Sequence, residues 1–163
     1  MNLLVRLKRE ELIYDISNVA FITGDMMLSD VKLQSIVQDV ANEGNVDKIS
    51  RSLTRIHNEL INALTAYTKV DTLEDIVVSD DLDIPEYYEI SLTVPQTFSA
   101  PNAKSVMTAA HDYMVNMSLY EWFCITKKDE SSVYEEKALK ELRNIKSYMS
   151  KRTTSLRIKK RPW

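Results

Sequence analysis

The stretch at residues 99–126, SAPNAKSVMTAAHDYMVNMSLYEWFCIT, is the feature that most constrains the fold of this chain. Pro101 lies where the first turn of a helix tolerates proline, and Ser99 or Asn102 can cap the free amides. Apolar residues then recur at spacings of three and four, and others widen the apolar surface beyond one stripe. Such a helix must be covered on most sides, so the sequence predicts the central helix of a small bundle. Its apolar positions are Val106, Met107, Ala110, Tyr113, Met114, Met117, Tyr120, Trp122, Phe123 and Ile125.

The composition favours a globular helical protein. Two glycines and four prolines in 163 residues leave little material for tight turns, which favours long helices. A chain of this length is typical of one domain with a core of its own. No apolar run approaches the roughly 20 residues that a membrane span needs, so no membrane partner is expected. The sequence therefore predicts a mainly α fold, a bundle of four to five helices, as a single domain over residues 1–150.

Helical periodicity predicts the other elements of the bundle. Helices are expected over residues 8–23, 31–41 and 46–68, and a last one is expected to reach about residue 150. Gly44 is expected to end the second helix in the left-handed conformation. The third helix has a regular, nearly seven-residue apolar rhythm. Its apolar side packs either against another helix of the same chain or against a neighbouring copy.

The segment around residues 71–95 breaks the helical period. It contains eight acidic residues and no basic one. Residues 76–78 form a short β-branched run, and residues 88–94 alternate between apolar and polar as in a half-buried strand. The sequence predicts a short β-hairpin or an extended arm inserted between helices. Because an isolated hairpin is marginally stable, it must lean on the bundle or pair with another subunit.

The charges divide the chain into an acidic body and a basic tail. Six of the 21 basic residues lie in the last thirteen positions and none of the 24 acidic residues does, so residues 1–150 carry a formal charge of −9. The tail, residues 151–163, has no core to join and is expected to be extended. Its cations and apolar anchors can neutralise phosphates or dock into an acidic groove. The alternatives are a solvated, inert end and local contact with nucleic acid or acidic protein.

Catalytic and metal-binding patterns do not stand out in the sequence. Phosphate-binding glycine loops, zinc-binding pairs and calcium loops are lacking. His57 and His111 are interpreted as structural or solvated, since no second histidine or cysteine lies one turn away from either. The lone Cys124 is expected to be a small buried side chain. The acids at residues 80–83 are interpreted as a solvated loop rather than a cation site, so neither a cofactor, nor a metal, nor an enzymatic activity is expected.

The carboxy-terminal half resembles small helical head–tail connector (adaptor) proteins of tailed bacteriophages. In that family an extended segment ending in proline leads into a helix with a His/Asp–Tyr–Met/Val pattern and a Leu–x–x–Trp–Phe ending, followed by an acidic cap and a last helix. The resemblance covers about residues 87–152 and, more weakly, residues 8–68. The matching residues are Pro95, His111, Tyr113, Val115, Leu119, Trp122, Tyr134 and Leu142.

The resemblance implies a structural virion protein of the phage neck, of the short-tailed or crAss-like type. Such a protein is made in the host cytoplasm and forms a homo-oligomeric ring, twelve-fold by resemblance, below the portal protein. It contacts other neck or tail proteins, and DNA passes through its lumen. The implied arm between subunits or rings consists of Asp80, Asp81, Asp83, Tyr87 and Tyr88. The implied portal-docking residues are Lys151, Arg152, Leu156, Arg157, Ile158, Lys159, Lys160, Arg161 and Trp163.

Two other classes of function compete with this one. The first is a small helical binding module whose basic tail contacts nucleic acid, although no helix-turn-helix with a basic recognition helix is evident. The second is an enzyme or enzyme subunit that uses the acidic loop and a metal, which would need a pocket that the sequence does not indicate.

Overall fold

A computed structural model of the chain describes residues 1–26, 31–68 and 84–151. Within these residues the fold is mainly helical, with five α-helices and a small two-stranded antiparallel sheet, which confirms the predicted fold class. Two short 3-10 turns flank α3. The elements are β1 (Asn2–Lys8), α1 (Arg9–Asp25), α2 (Val31–Gln38), α3 (Glu43–Ala63), β2 (Tyr87–Thr93), α4 (Ala100–Thr126) and α5 (Lys128–Ser150).

The strand predicted at residues 88–94 is present, and its partner is the start of the chain. β2 pairs antiparallel with β1, with Val5 opposite Ile90. The terminal ammonium of Met1 donates a hydrogen bond to the carbonyl of Val94 at 3.0 Å, which extends the pairing by one residue. The sequence analysis did not predict β1. The β-branched run at residues 76–78 lies outside the described residues.

The sheet has one buried face and one exposed face, as the alternation of its side chains requires. The inward residues of both strands join the same core as the helices, and the outward ones are solvated. The buried residues are Val5, Leu7, Tyr88, Ile90, Leu92 and Val94.

The helices α4 and α5 form an antiparallel hairpin that supplies much of the core. Only Lys127 separates them, so they pack along their length. Phe123 is fully buried, and its ring centroid lies 5.0 Å from that of Tyr134 on α5. The indole N–H of Trp122 donates to the carbonyl of Val37 at 3.0 Å, which ties α4 to the end of α2. The central helix predicted from the sequence is therefore confirmed, and it is covered by neighbours on several sides.

The seam between α1 and α2 depends on a glycine. Gly24 is buried, and a Cβ at this position would lie 2.6 Å from Cγ of Gln38. The amide of Gln38 donates to Oδ1 of Asp25 at 2.9 Å and to the carbonyl of Phe21 at 3.2 Å. The absent side chain at Gly24 thus lets Gln38 reach the end of α1.

The third helix packs within its own chain. It begins at Glu43, whose amide is capped by the side chain of Asn42 at 3.0 Å. Gly44 lies in the first turn of this helix and has a negative φ, so the expected left-handed end of α2 at Gly44 is wrong. The apolar rhythm points into the core against α4, which resolves the two alternatives left by the sequence in favour of the same chain. The inward residues are Ile49, Leu53, Ile56 and Leu60.

Candidate interaction surfaces

Apolar side chains are concentrated in solvent at the end of α1 and along α2. Single exposed apolar residues are ordinary on a protein surface, but a concentration of them is typical of an interaction site. Here they occur within one short part of the chain, and Val31 and Met26 are 80% and 76% exposed. We call this set the α1–α2 apolar surface; its members are Phe21, Ile22, Met26, Val31 and Ile36.

A groove of about 500 Å³ lies between α3 and the last turns of α4. Its floor is apolar and its rim on α3 is cationic, with Lys48, Arg51 and Arg55 spaced so that they share one side of the helix. All three cations are exposed. From α4 the groove is lined by Tyr120, Glu121, Trp122, Cys124 and Ile125. A groove of this kind suits a ligand that combines acidic groups with apolar ones.

Glu121 fixes the two walls of this groove to one another. Its carboxylate accepts a hydrogen bond from the hydroxyl of Ser52 and forms an ion pair with the guanidinium of Arg55, so both α3 residues bind one α4 side chain. The Glu121 side chain is largely buried. Because the carboxylate is paired with Arg55, its negative charge offsets only part of the cationic rim. The net charge of the groove remains positive.

The cysteine of α4 lies at the open side of the groove. Cys124 is exposed, so the expectation of a buried thiol is wrong. Its hydrogen bond with Tyr120 raises the pKa of that phenol, which stays neutral at physiological pH. The neighbouring residues Trp122 and Phe123 point into the core instead. Cys124 therefore lies on the side of α4 that the bundle leaves uncovered.

The opposite side of α3 is polar and satisfied within the chain. The hydroxyl of Tyr88 lies 3.3 Å from that of Thr54, and it donates to the carbonyl of Ser50 at 3.4 Å. His57 Nε2 bonds the carbonyl of Glu89 at 3.0 Å, and its ring packs on Tyr88 at 5.2 Å. Burial lowers the pKa of His57, and the bond to Glu89 opposes this only in part. This side of α3 therefore holds the sheet in place.

The residues assigned to an intersubunit arm fall into three groups. Asp80, Asp81 and Asp83 lie outside the described residues. Tyr87 begins β2 opposite Lys8 and is 42% exposed, so its ring is available to a partner. Tyr88 is 1% exposed and packs against α3, so its assignment to the arm is corrected to a core role. The two adjacent tyrosines differ because successive side chains of a strand point to opposite faces.

Of the predicted docking tail only the first residue is described. Lys151 is exposed, and its ammonium lies 4.8 Å from the centroid of the Tyr148 ring. The other docking residues lie outside the described part of the chain: Arg152, Leu156, Arg157, Ile158, Lys159, Lys160, Arg161 and Trp163.

The polar side chain of His111 links two helices. His111 Nε2 lies 2.9 Å from Oδ2 of Asp15, which joins α4 to α1. Burial raises the pKa of the neighbouring Asp112. Across residues 1–26, 31–68 and 84–151, no group of three or more metal-ligating side chains is placed to hold an ion. None of the helices in these ranges is long and apolar enough to cross a membrane.

The chain matches no family model, no curated protein and no solved structure. The cationic rim and the α1–α2 apolar surface were both missed by the sequence analysis. A signal for the rim exists in the spacing of Lys48, Arg51 and Arg55 along a helix. A signal for the apolar surface exists in Phe21 and Ile22, which fall beside the buried stripe of α1 rather than within it.

Proposed function

We propose that this chain is a structural protein of the phage neck. Copies of it form a ring that docks on the portal protein, joins head to tail and continues the DNA channel, without enzymatic activity. The protein is made in the host cytoplasm and resides in the virion, where it also contacts other neck or tail proteins.

The α1–α2 apolar surface is the observation that carries this proposal. The other helices bury their main apolar stripes in one common core, whereas Phe21, Ile22 and Met26 remain in water. Burial of apolar area contributes about 25 cal/mol per Å², so a complex in which a second molecule covers this surface is stabilised. A ring gives each copy a neighbour that can cover it.

The order of the elements in the carboxy-terminal half also supports the proposal. The strand β2 leads through Pro95 into α4, and α5 follows directly, as the resemblance to connector proteins implies. Most of the residues that carry the resemblance are buried, which is consistent with packing positions of a shared fold. These buried residues are Tyr113, Val115, Leu119, Trp122 and Tyr134.

The acidic body suits a channel for DNA. Residues 1–150 carry a formal charge of −9, and like charges deny the phosphates of DNA any strong contact. A lumen lined by such a body would let DNA slide without sticking. The basic residues 151–163 would then bind the portal protein rather than line the channel.

Negative-stain microscopy of the purified full chain, alone and mixed with the portal protein of the same phage, tests the proposal. We expect rings or portal particles with an added layer, because the exposed apolar surface is covered only in an assembly. Small particles that leave the portal bare would contradict the proposal. DNA binding by the full chain, with no portal binding, would favour the nucleic-acid binding module instead.

Deletion of residues 151–163 tests the role assigned to the tail. We expect loss of portal binding with an unchanged helical circular-dichroism spectrum, because Lys151, where the tail begins, follows the last residue of α5 and its ammonium lies over the Tyr148 ring of that helix. A collapse of the helical signal would show that the tail belongs to the core. Portal binding at the wild-type level would contradict the docking role.

A further inference from the structure

We propose that the groove between α3 and α4 receives the acidic segment of a second copy of this chain, residues 69–83. This inference rests on the proposed function and identifies a contact within its ring. The receptor is the cationic rim and apolar floor described above. The occupant is a segment of the same sequence that lies outside the described residues.

The chemistry of the segment complements that of the groove. The segment contains six carboxylates between residues 71 and 83, and its one base is Lys69. Between the carboxylates lie Leu73, the run at residues 76–78 and Leu82. Acidic groups interspersed with apolar ones are what a basic rim above an apolar floor can bind. Although the formal charge of residues 1–150 is −9, three cations share this side of α3 beside the apolar floor.

Two cations of the rim can form ion pairs with additional carboxylates. Arg55 already pairs with Glu121, while Lys48 and Arg51 are exposed and form no ion pair with the described residues. These two cations are therefore available to incoming carboxylates. Ile125 is 64% exposed beside them and offers an apolar contact.

The position of the segment's two ends favours a groove on another copy. At one end Thr68 forms a bridge with Leu92 of β2, and at the other the amide of Arg9 donates to the carbonyl of Glu86 at 3.0 Å. The first attachment is to β2, and the second is to Arg9, which directly follows β1. The sheet contacts α3 through the hydroxyl of Tyr88, which donates to the carbonyl of Ser50. Lys48, Arg51 and Arg55 lie about 100° to 160° around the helix axis from Ser50, at roughly 100° per residue.

A segment that starts and ends at the sheet would have to cross the exposed face of α3 to occupy its own groove. The groove of an adjacent copy can be reached without that detour. Each copy then presents a donor segment on one side of α3 and an acceptor groove on the other. Contacts of this head-to-tail kind close into a ring when the rotation between copies allows it.

Binding of a synthetic peptide tests the groove. The peptide is a fluorescein-labelled version of residues 69–84, and its partner is the full chain carrying Asp80→Asn, Asp81→Asn and Asp83→Asn, which weakens the competing native segment. We expect saturable binding by fluorescence anisotropy that weakens as salt is added. Adding Lys48→Glu and Arg51→Glu should weaken it at least tenfold. The matched control pair on α5, Arg143→Glu and Lys146→Glu, should leave it within twofold.

Three results of this titration would overturn the inference. They are failure of the peptide to bind, equal binding by the groove and control variants, and displacement by a single-stranded DNA oligonucleotide at lower concentration than by unlabelled peptide. The last result would assign the groove to phosphates. If the peptide fails while the full chain still decorates the portal, the proposed function stands and this inference falls. If the peptide binds but the full chain does not decorate the portal, the contact between segment and groove stands and the proposed function falls.

Cross-linking distinguishes a second copy from the chain's own segment. An equal mixture of ¹⁵N-labelled and unlabelled full chain, bound to portal, is treated with a carbodiimide that joins lysines to carboxylates in contact. We expect cross-links between Lys48 and residues 71–83, about half of which join a heavy chain to a light one. Cross-links only within one isotope, or none at Lys48, would contradict the assignment to a second copy.

Discussion

The central helix α4 buries most of its apolar side chains, whereas the pair α1 and α2 leaves several of them in solvent. α4 is apolar on most sides and is covered by α5, α3, α1 and the sheet, so that Leu119 and Phe123 are fully buried. The α1–α2 pair buries one side, through Leu12 and Ile16, and leaves Phe21 and Ile22 in water. The comparison separates a part of the chain whose apolar side chains are covered by the chain itself from a part that leaves several of them in solvent. The predictions below test this division, beginning with the largest effect on stability.

Replacement of Phe123 by alanine should cause the largest loss. Its ring is fully buried against Tyr134, so Phe123→Ala leaves a cavity and should lower the free energy of unfolding by about 3–5 kcal/mol. Urea denaturation followed by circular dichroism measures this. Tyr14→Ala on α1 is the control, because Tyr14 is exposed and should cost less than about 1 kcal/mol. A similar cost at both positions would refute the division between covered and uncovered helices.

An added methyl group at Gly24 should displace the side chain of Gln38 and destabilise the seam between α1 and α2. In Gly24→Ala the new Cβ would meet Gln38 at 2.6 Å, which should cost about 1–3 kcal/mol by overpacking. Gly44 provides the matched control, since a Cβ there meets nothing within 4 Å and its φ is negative. Gly44→Ala should stabilise α3 by about 0.5–1 kcal/mol. A neutral or stabilising Gly24→Ala would mean that this pair is loosely packed.

His57 should make stability depend on pH. Burial depresses its pKa in the folded state below the ordinary value of 6.5, so the unfolded chain takes up the proton more readily. Its contribution is therefore fully present above about pH 6.5 and is lost as the pH falls toward the folded-state pKa. Urea midpoints measured between pH 5 and 8 should fall on acidification in the wild type and fall less in His57→Gln. If the urea midpoint depends on pH equally in the two proteins, His57 is not the source of the pH dependence.

Polar substitution of the α1–α2 apolar surface should have the smallest effect on stability. Phe21 and Ile22 are each more than half exposed, so Phe21→Ser combined with Ile22→Ser should change the free energy of unfolding by no more than about 0.5 kcal/mol per residue. Thermal unfolding of the free chain measures this. A loss comparable to that of Phe123→Ala would show that these side chains support the fold rather than an interface.

The sequence predicted the features that depend on local pattern. Helical periodicity and Pro101 gave α4 and its start within one residue of the observed helix, and the alternation of residues 88–94 gave β2. It missed β1, because a short apolar run becomes a strand only when a distant partner is available to pair with it. It placed Gly44 at the end of α2, whereas Asn42 caps α3 and Gly44 lies in the first turn of that helix. Propensity alone does not decide between these two roles of a glycine.

The candidate interaction surfaces were less predictable because they combine elements that are distant in sequence. The groove takes its cations from α3 and its floor from α4, so neither helix reveals it alone. The alternation of β2 placed Tyr88 on the same face as Ile90 and Leu92, but that α3 packs against Tyr88 follows only from the fold. Cys124 was expected inside because α4 is apolar on most sides, and only its packing shows the open side.

The most direct test of the central claim is the number of chains bound per portal particle, measured by multi-angle light scattering of the purified complex. The account predicts a full ring for the wild type and for the control Met107→Ser with Leu139→Ser, which alters two exposed apolar residues elsewhere. It predicts a loss of most bound chains for Phe21→Ser with Ile22→Ser, whose fold remains intact. An unchanged number of bound chains in that variant would contradict the claim that the α1–α2 apolar surface is covered by assembly.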